Sequence, residues 1–160
     1  MISTTKYPDI YQLLPHRGTM SLLDKIEHFD EELLRASTVV KEDAPFLDGH
    51  FPGYPILPGI VLIEMMYQAC GLYGGLKALS EQEGESIDYS NGMVARSIGV
   101  DKLMFKKPVF PKDKLLIEVK PLKKVMNFST YSGKVIIEAS NSVCVSGKLT
   151  VFLGKTMNHE

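Results

Sequence analysis

The sequence predicts a single α+β domain in which a curved antiparallel sheet of about six strands wraps one long apolar helix. The helix is predicted from Gly59 to about Leu79, where nearly every side chain is apolar or glycine. Runs rich in valine, isoleucine, threonine and aromatic residues predict the strands, and short polar breaks between them indicate antiparallel hairpins. Because this helix has no polar face, we expect the sheet to cover it on all sides.

The elements follow one another in a simple order. A short helix is expected from Ile10 to Leu14, stopped by Pro15, and residues 21–30 and 33–40 predict a first hairpin. After the long helix, polar residues 80–92 predict an exposed loop. Four further strands are predicted at residues 93–105, 114–125, 128–140 and 143–153.

The chain length bounds the number of domains. A chain of 160 residues forms one domain with a sizeable core and is too short for two ordinary ones. We therefore assign residues 1–154 to one domain and expect residues 155–160 to form a flexible tail.

Cysteine content and hydropathy exclude several classes of protein. The two cysteines, Cys70 and Cys144, suggest neither a disulfide framework nor a metal site, so we expect buried reduced thiols and no metal. The N-terminus lacks the basic and apolar regions of a signal peptide, and Glu64 and Gln68 interrupt the apolar stretch that follows Gly59. We expect a cytoplasmic protein with neither a membrane nor a nucleic-acid partner.

Charge is unevenly distributed along the chain. Residues 1–90 hold 6 Lys+Arg against 14 Asp+Glu, whereas residues 91–160 hold 12 against 5. Most of the positive charge lies between Lys102 and Lys124. This region is either a solvated face or a docking patch for an acidic macromolecule, and composition leaves both open.

Two polar residues stand in the predicted apolar helix. Glu64 and Gln68 are four positions apart, so they share one helical face. A carboxylate buried among apolar side chains tends to be protonated, and we therefore expect the pKa of Glu64 to be raised and the group to be a proton donor. The alternative is a first-turn carboxylate that reaches solvent. Gln68 either orients Glu64 or is a satisfied polar core residue.

A second group of candidates lies just upstream, around His50. Prolines and glycines make residues 42–58 a stiff loop, and proline disfavours helical backbone at the preceding residue, so Phe51 is expected to be extended. Such a loop can hold His50 in place as a base, although a lone histidine is more often structural. The Pro58-Gly59 pair is either a simple helix start or a site where the Gly59 N–H meets a developing negative charge.

Three segments of the chain resemble one known protein family. The segment HFPGYPILPGIVLIEMMYQ resembles the active-site motif of the FabZ family of 3-hydroxyacyl-[acyl-carrier-protein] dehydratases. LLPHRGTMSLLDKI and GVDKLMFKKPVFPKDKL are similar to other recurring segments of that family, in the same order. The resemblance extends from Leu13 to Leu153 and implies the hotdog fold.

The resemblance also implies a reaction and its residues. His50 and Glu64 would be the catalytic residues, and Gly59, together with Gln68, would bind the substrate and its thioester oxygen. The implied reaction converts (3R)-3-hydroxyacyl-[acyl-carrier-protein] to the trans-2-enoyl form, in fatty-acid or related polyene or polyketide synthesis, without a cofactor. Family members share active sites across a homodimer, with a histidine from one chain and a carboxylate from the other, and often form hexamers.

The resemblance further implies a partner. An acyl carrier protein bearing a 3-hydroxyacyl-phosphopantetheine arm is acidic and would dock on basic residues, for which Lys102, Lys106 and Lys107 are candidates. Two other functions remain open: a hotdog acyl thioesterase, which His50 argues against, and a non-catalytic acyl-binding subunit.

Overall fold

The computed structural model describes residues 6–81 and 93–155 and consists of one long helix packed on an antiparallel sheet. The short helix α1 spans Ile10–Leu13 and the long helix α2 spans Gly59–Glu81. Within the described residues the sheet has six strands in the order β1-β2-β4-β5-β6-β3. The strands are β1 (Lys25–Phe29), β2 (Leu34–Val39), β3 (Met93–Phe105), β4 (Lys114–Val125), β5 (Phe128–Ile137) and β6 (Ser142–Lys155).

These elements confirm the predicted fold class and the type and order of the predicted elements. The largest differences in boundaries are at β1, which begins at Lys25 and not at residue 21, and at β5, which ends at Ile137 and not at residue 140. Every neighbouring pair of strands is antiparallel. The long helix continues two residues beyond Leu79, and most of the loop predicted at residues 80–92 lies outside the described residues. The last strand ends at Lys155, and the remainder of the predicted tail, residues 156–160, also lies outside them.

The core forms where α2 meets the concave face of the sheet. Met66 and Leu72 on the helix are fully buried, as are Val135 and Leu149 on the strands. Gly133 on β5 allows this close approach, because a Cβ at that position would lie 2.6 Å from Leu149 Cδ1 and 3.0 Å from Met66 Sδ. The helix is therefore fixed against the sheet by close packing of side chains.

One side of α2 is not covered by the sheet, so the prediction that this chain covers the helix on all sides is wrong. Ile60 is 74% exposed, and Ile63, Tyr67 and Gly74 follow it on the same helical stripe with partial or full exposure. Hydropathy indicates that an all-apolar helix is buried, but it does not indicate whether the residues that bury it belong to the same chain. We call these four residues the open stripe of α2.

The open stripe lies beside the exposed edge strand β3. The Tyr67 hydroxyl donates a hydrogen bond to the Gly99 carbonyl in β3. In the described part of the chain β3 pairs only with β6, and it presents four exposed apolar side chains. These are Ile98, Val100, Met104 and Phe105. The edge strand therefore leaves a row of apolar side chains exposed in the single chain.

Both cysteines are free and buried, as predicted. Burial raises the pKa of Cys70, and it raises the pKa of Cys144 to about 11, so neither thiol is an activated nucleophile. No group of three or more metal-ligating side chains is found among residues 6–81 and 93–155. Of the helices described, none is long and apolar enough to cross a membrane.

Candidate active site

The loop that carries His50 has an unusual backbone. Gly49 and Gly53 have φ values of 84° and 81°, and Phe51 has a φ of 57°. The expectation of an extended Phe51 is therefore wrong: the tight turn between the two glycines overrides the bias that Pro52 imposes. A bulky residue with positive φ is strained, and such strain is commonly found where a side chain must be held for function. Here the Phe51 ring lies 4.4 Å from the His50 ring, measured between centroids.

The tautomer of His50 follows from one hydrogen bond. Its Nδ1 lies 2.7 Å from the carbonyl oxygen of Ile56. A carbonyl can only accept, so Nδ1 carries the hydrogen, and in the neutral ring Nε2 has a free lone pair. The same bond fixes the direction of the ring. His50 is thus oriented to take up a proton at Nε2.

Gly59 begins α2 beside His50, and the first backbone N–H groups of a helix have no partner within the helix. Both residues line a cavity of about 490 Å³, whose wall also includes Phe105. A Cβ at Gly59 would lie 2.6 Å from Phe105 Cε1, so the glycine allows the ring to lie against the helix start. The His50 side chain and the start of α2 at Gly59 therefore open on one space.

The carboxyl group of Glu64 faces a different part of the chain. Its Oε1 lies 3.3 Å from His16 Nε2 and accepts a hydrogen bond of 3.1 Å from Gln68 Nε2. Hydrogen bonding from His16 lowers the pKa of Glu64; burial acts in the opposite direction and Gln68 adds to the lowering. The expectation of a raised pKa is therefore wrong for the single chain. In that chain the Glu64 side chain is 29% exposed, so burial is incomplete.

Gln68 lies behind Glu64 and is 1% exposed. One amide hydrogen goes to Glu64, and the other goes to the Met20 carbonyl at 2.7 Å. Its Oε1 accepts the Leu22 N–H at 3.1 Å. With both hydrogens used by protein acceptors, Gln68 orients Glu64 and joins α2 to the segment before β1. This arrangement favours the orienting role over the predicted contact with substrate.

His50 and Glu64 lie on different sides of α2 within one chain. No contact of the described residues joins them: His50 shares its cavity with Gly59, whereas Glu64 contacts His16 and Gln68. Glu64 follows Gly59 by five positions, which places the two about 140° apart around the helix axis. Glu64 lies at the border of the open stripe of α2. The single chain thus presents the predicted catalytic residues towards two separate spaces.

The predicted docking lysines also separate into two places. Lys106 and Lys107 line the His50 cavity and are exposed. Lys102 instead lines a shallow groove of about 450 Å³ on the outer face of the sheet, together with Glu118 and Lys148. Only Lys106 and Lys107 are therefore placed beside the proposed base.

His16 was not predicted from the sequence as a site residue. It lies 48 positions before Glu64, in a segment without helical or strand periodicity. Its position in LLPHRGTMSLLDKI gave no chemical reason to select this histidine, because that segment was similar to the family as a whole. Its contact with Glu64 depends on how the N-terminal segment crosses α2.

Comparison with known proteins supports the resemblance drawn from the motifs. The family model of the ApeP-like proteins, described as ApeP dehydratase, matches residues 8–159. The chain is 35% identical over 144 residues to the 3-hydroxyacyl-[acyl-carrier-protein] dehydratase FabZ of Erwinia tasmaniensis, which covers 86% of this chain and 90% of that protein. A FabZ of Salmonella arizonae has the same identity and coverage.

Solved structures show the same fold. The dehydratase heterocomplex ApeI:P from Xenorhabdus doucetiae matches with a TM-score of 0.77 and 22% identity, over 96% of this chain and 94% of that chain. The PaaI protein from the phenylacetic acid degradation operon of E. coli matches with a TM-score of 0.57 and 16% identity, over 80% and 81%. At these identities the likeness concerns the fold alone, and it confirms the predicted hotdog architecture.

Proposed function

The chain belongs to the ApeP-like dehydratase family, and on that premise we propose that it removes water from a (3R)-3-hydroxyacyl thioester to give the trans-2-enoyl thioester. The observation that carries the proposal is the orientation of His50, whose Nδ1 donates to Ile56 and leaves Nε2 free beside the start of α2. Removal of an α-proton requires a base and a stabilised enolate in one place.

The first step uses His50 and Gly59. His50 Nε2 takes the α-proton of the substrate, and the electron pair of that C–H bond moves towards the thioester carbonyl. The Gly59 N–H, at the positive end of the α2 dipole, donates to the carbonyl oxygen as its negative charge grows. The missing Cβ lets that oxygen approach the backbone.

The second step uses Glu64. The C–O bond at the β-carbon breaks, the leaving hydroxyl takes a proton from the Glu64 carboxyl, and water and the trans-2-enoyl thioester result. The proton that His50 removed then passes to Glu64 through water, which restores both side chains for the next turnover. Glu64 must be protonated for this step, and a second chain and an acyl group over the carboxyl would raise its pKa by excluding water.

We propose that a second copy of the chain completes the site. The open stripe of α2 and the edge of β3 are apolar and adjacent, so covering both buries the surface that one chain leaves exposed. A twofold-related helix would bring Glu64 of each chain towards the other chain's His50 cavity. The complex from Xenorhabdus doucetiae is a heterocomplex. Measuring the mass of the purified assembly therefore distinguishes a homodimer or homohexamer of this chain from an assembly that contains a different partner chain.

The acyl group would be delivered on a carrier protein. The curated relatives are named for acyl-carrier-protein substrates, and Lys106 and Lys107 stand at the mouth of the His50 cavity. Two exposed lysines there suit an acidic carrier and the phosphate of its pantetheine arm. We place the reaction in the cytoplasm, in fatty-acid or related polyene or polyketide synthesis.

One assay separates this function from the two alternatives. The purified protein is mixed with a 3-hydroxyacyl carrier substrate, and enoyl absorbance and free thiol are followed together. Dehydration gives enoyl absorbance without thiol. Thiol release without enoyl absorbance would replace the proposal by an acyl thioesterase, and neither signal, with binding retained, would replace it by an acyl-binding subunit.

A further inference from the structure

His16 is placed against Glu64 by the local structure of the segment that follows α1. The guanidinium of Arg17 donates to three carbonyls: Leu14 at 2.6 Å, His16 at 2.7 Å and Tyr11 at 3.0 Å. Leu14 itself is buried. These bonds restrain the backbone from Tyr11 to His16, the segment that carries the His16 side chain.

The protonation pattern of His16 follows from its two ring nitrogens. Nε2 faces Glu64 Oε1 at 3.3 Å, and an ionised carboxylate only accepts, so Nε2 carries a hydrogen. Nδ1 is buried and has no hydrogen-bond partner among the described residues. The contact with Glu64 is therefore made through Nε2, and Nδ1 makes no hydrogen bond that competes with it.

The two oxygens of Glu64 consequently differ. Both His16 Nε2 and Gln68 Nε2 contact Oε1. In the part of the chain that the structure describes, no residue donates to Oε2. A proton on Oε2 leaves both contacts to Oε1 intact, so Oε2 is the oxygen that can carry and release a proton while the carboxyl group stays in place.

We propose that His16 is a positioning residue for the catalytic acid: as a donor at Nε2 it holds Oε1 of Glu64 and turns Oε2 towards the substrate hydroxyl. This inference rests on the proposed function, because it assigns the oxygen that delivers the proton. The 3.3 Å separation is slightly longer than a typical N–H···O hydrogen bond, and catalytic contacts of this kind shorten when substrate is bound.

The groups that set the protonation of Glu64 can be named. His16 faces it from the N-terminal segment and Gln68 lies beside it on α2. Tyr67 is affected in return, since burial chiefly and the charge of Glu64 in part raise the pKa of Tyr67. Hydrogen bonding from His16 lowers the pKa of Glu64. Loss of that donor should therefore raise the pKa, whereas a purely structural role in packing would leave it unchanged.

The experiment compares two substitutions at this position. His16→Phe keeps the ring size and removes the donor, whereas His16→Gln keeps an N–H donor close to the position of Nε2. A matched control, His28→Phe, changes another partly exposed histidine on β1 that pairs with Asp30. The pKa of Glu64 is measured by ¹³C NMR titration of glutamate-labelled protein, with the resonance assigned by its loss in Glu64→Gln. The kcat for enoyl formation is measured in parallel.

The inference predicts that His16→Phe raises the pKa of Glu64 and lowers kcat by about 2-fold to 10-fold, as loss of a hydrogen bond to an uncharged carboxyl group does. His16→Gln should recover at least half of the loss in the logarithm of kcat, and His28→Phe should change neither the pKa of Glu64 nor kcat. An unchanged pKa in His16→Phe would overturn the inference whatever the turnover. A shifted pKa in a protein whose wild type forms no enoyl product would uphold the contact between His16 and Glu64 and overturn the proposed function instead.

Discussion

Replacing Gln68 with leucine tests how the site is held together. The amide makes three hydrogen bonds at once: to the Leu22 N–H, the Met20 carbonyl and the Glu64 carboxyl. Leucine has a similar volume and no polar atoms, so Gln68→Leu removes all three bonds with little change in packing. The substitution therefore separates hydrogen bonding from the filling of space.

The cost can be worked from the burial of each partner. The Leu22 N–H is buried and is left without an acceptor, which costs about 1–3 kcal/mol. The Met20 carbonyl is partly buried and loses a donor, which adds about 1 kcal/mol. A leucine side chain in the same space offsets about 1 kcal/mol of this total through apolar burial. We expect a net loss of about 1–3 kcal/mol in the free energy of unfolding.

The assay is urea unfolding at pH 7 and at one protein concentration for all variants, so that association between chains does not differ between samples. The control is Gln12→Leu, an exposed glutamine in α1, which should change the free energy of unfolding by less than about 0.5 kcal/mol. Equal unfolding midpoints for the two variants would show that the amide does not join α2 to the segment before β1, and would refute the reasoning on Gln68.

Three further perturbations have defined outcomes. Gly133→Ala places a Cβ 2.6 Å from Leu149 Cδ1 and should lower the free energy of unfolding by about 1–3 kcal/mol in the same urea assay. Burial raises the pKa of Glu118, but its bonds to Lys134 and Arg35 outweigh burial and lower the pKa below the ordinary value of 4.5. The carboxylate therefore stabilises the fold above pH 4.5, and this stabilisation is lost as the pH falls through the lowered pKa. Glu118→Gln should cost about 1–3 kcal/mol at pH 7 and less at pH 3, by urea unfolding at both. Lys106→Glu combined with Lys107→Glu should raise the KM for carrier-bound substrate about 10-fold or more at low salt and leave a pantetheine-only substrate unaffected. The matched control reverses two exposed lysines of the β4–β5 hairpin, Lys123 and Lys124.

The periodic elements could be predicted from sequence because their signal is local. The apolar run from Gly59 and the β-branched runs after residue 93 determine element type from neighbouring residues alone, and their observed boundaries differ little from the predicted ones. The loop around His50 was also recognisable, because its prolines and glycines are local features. The positive φ of Phe51 was not predicted, since two opposing local preferences meet there.

The remainder of the site depends on contacts between distant segments. The contact of His16 with Glu64 and the lowered pKa of Glu64 both arise where the N-terminal segment crosses α2. The separation of Lys102 from Lys106 arises from the bulge in β3 between Asp101 and Met104. The open stripe of α2 was missed for another reason: residues buried in a core and residues buried between two chains have the same hydropathy.

The claim that a complete site needs two chains is tested most directly by mixing two inactive variants. His50→Ala lacks the base and Glu64→Ala lacks the acid, so each alone should lose about 10²-fold to 10⁴-fold in kcat for enoyl formation. After subunit exchange, half of the dimers contain one of each chain, and each such dimer has one intact site of two, so the mixture should regain about one quarter of wild-type activity. A mixture that stays inactive although mass analysis shows complete exchange would contradict the shared site.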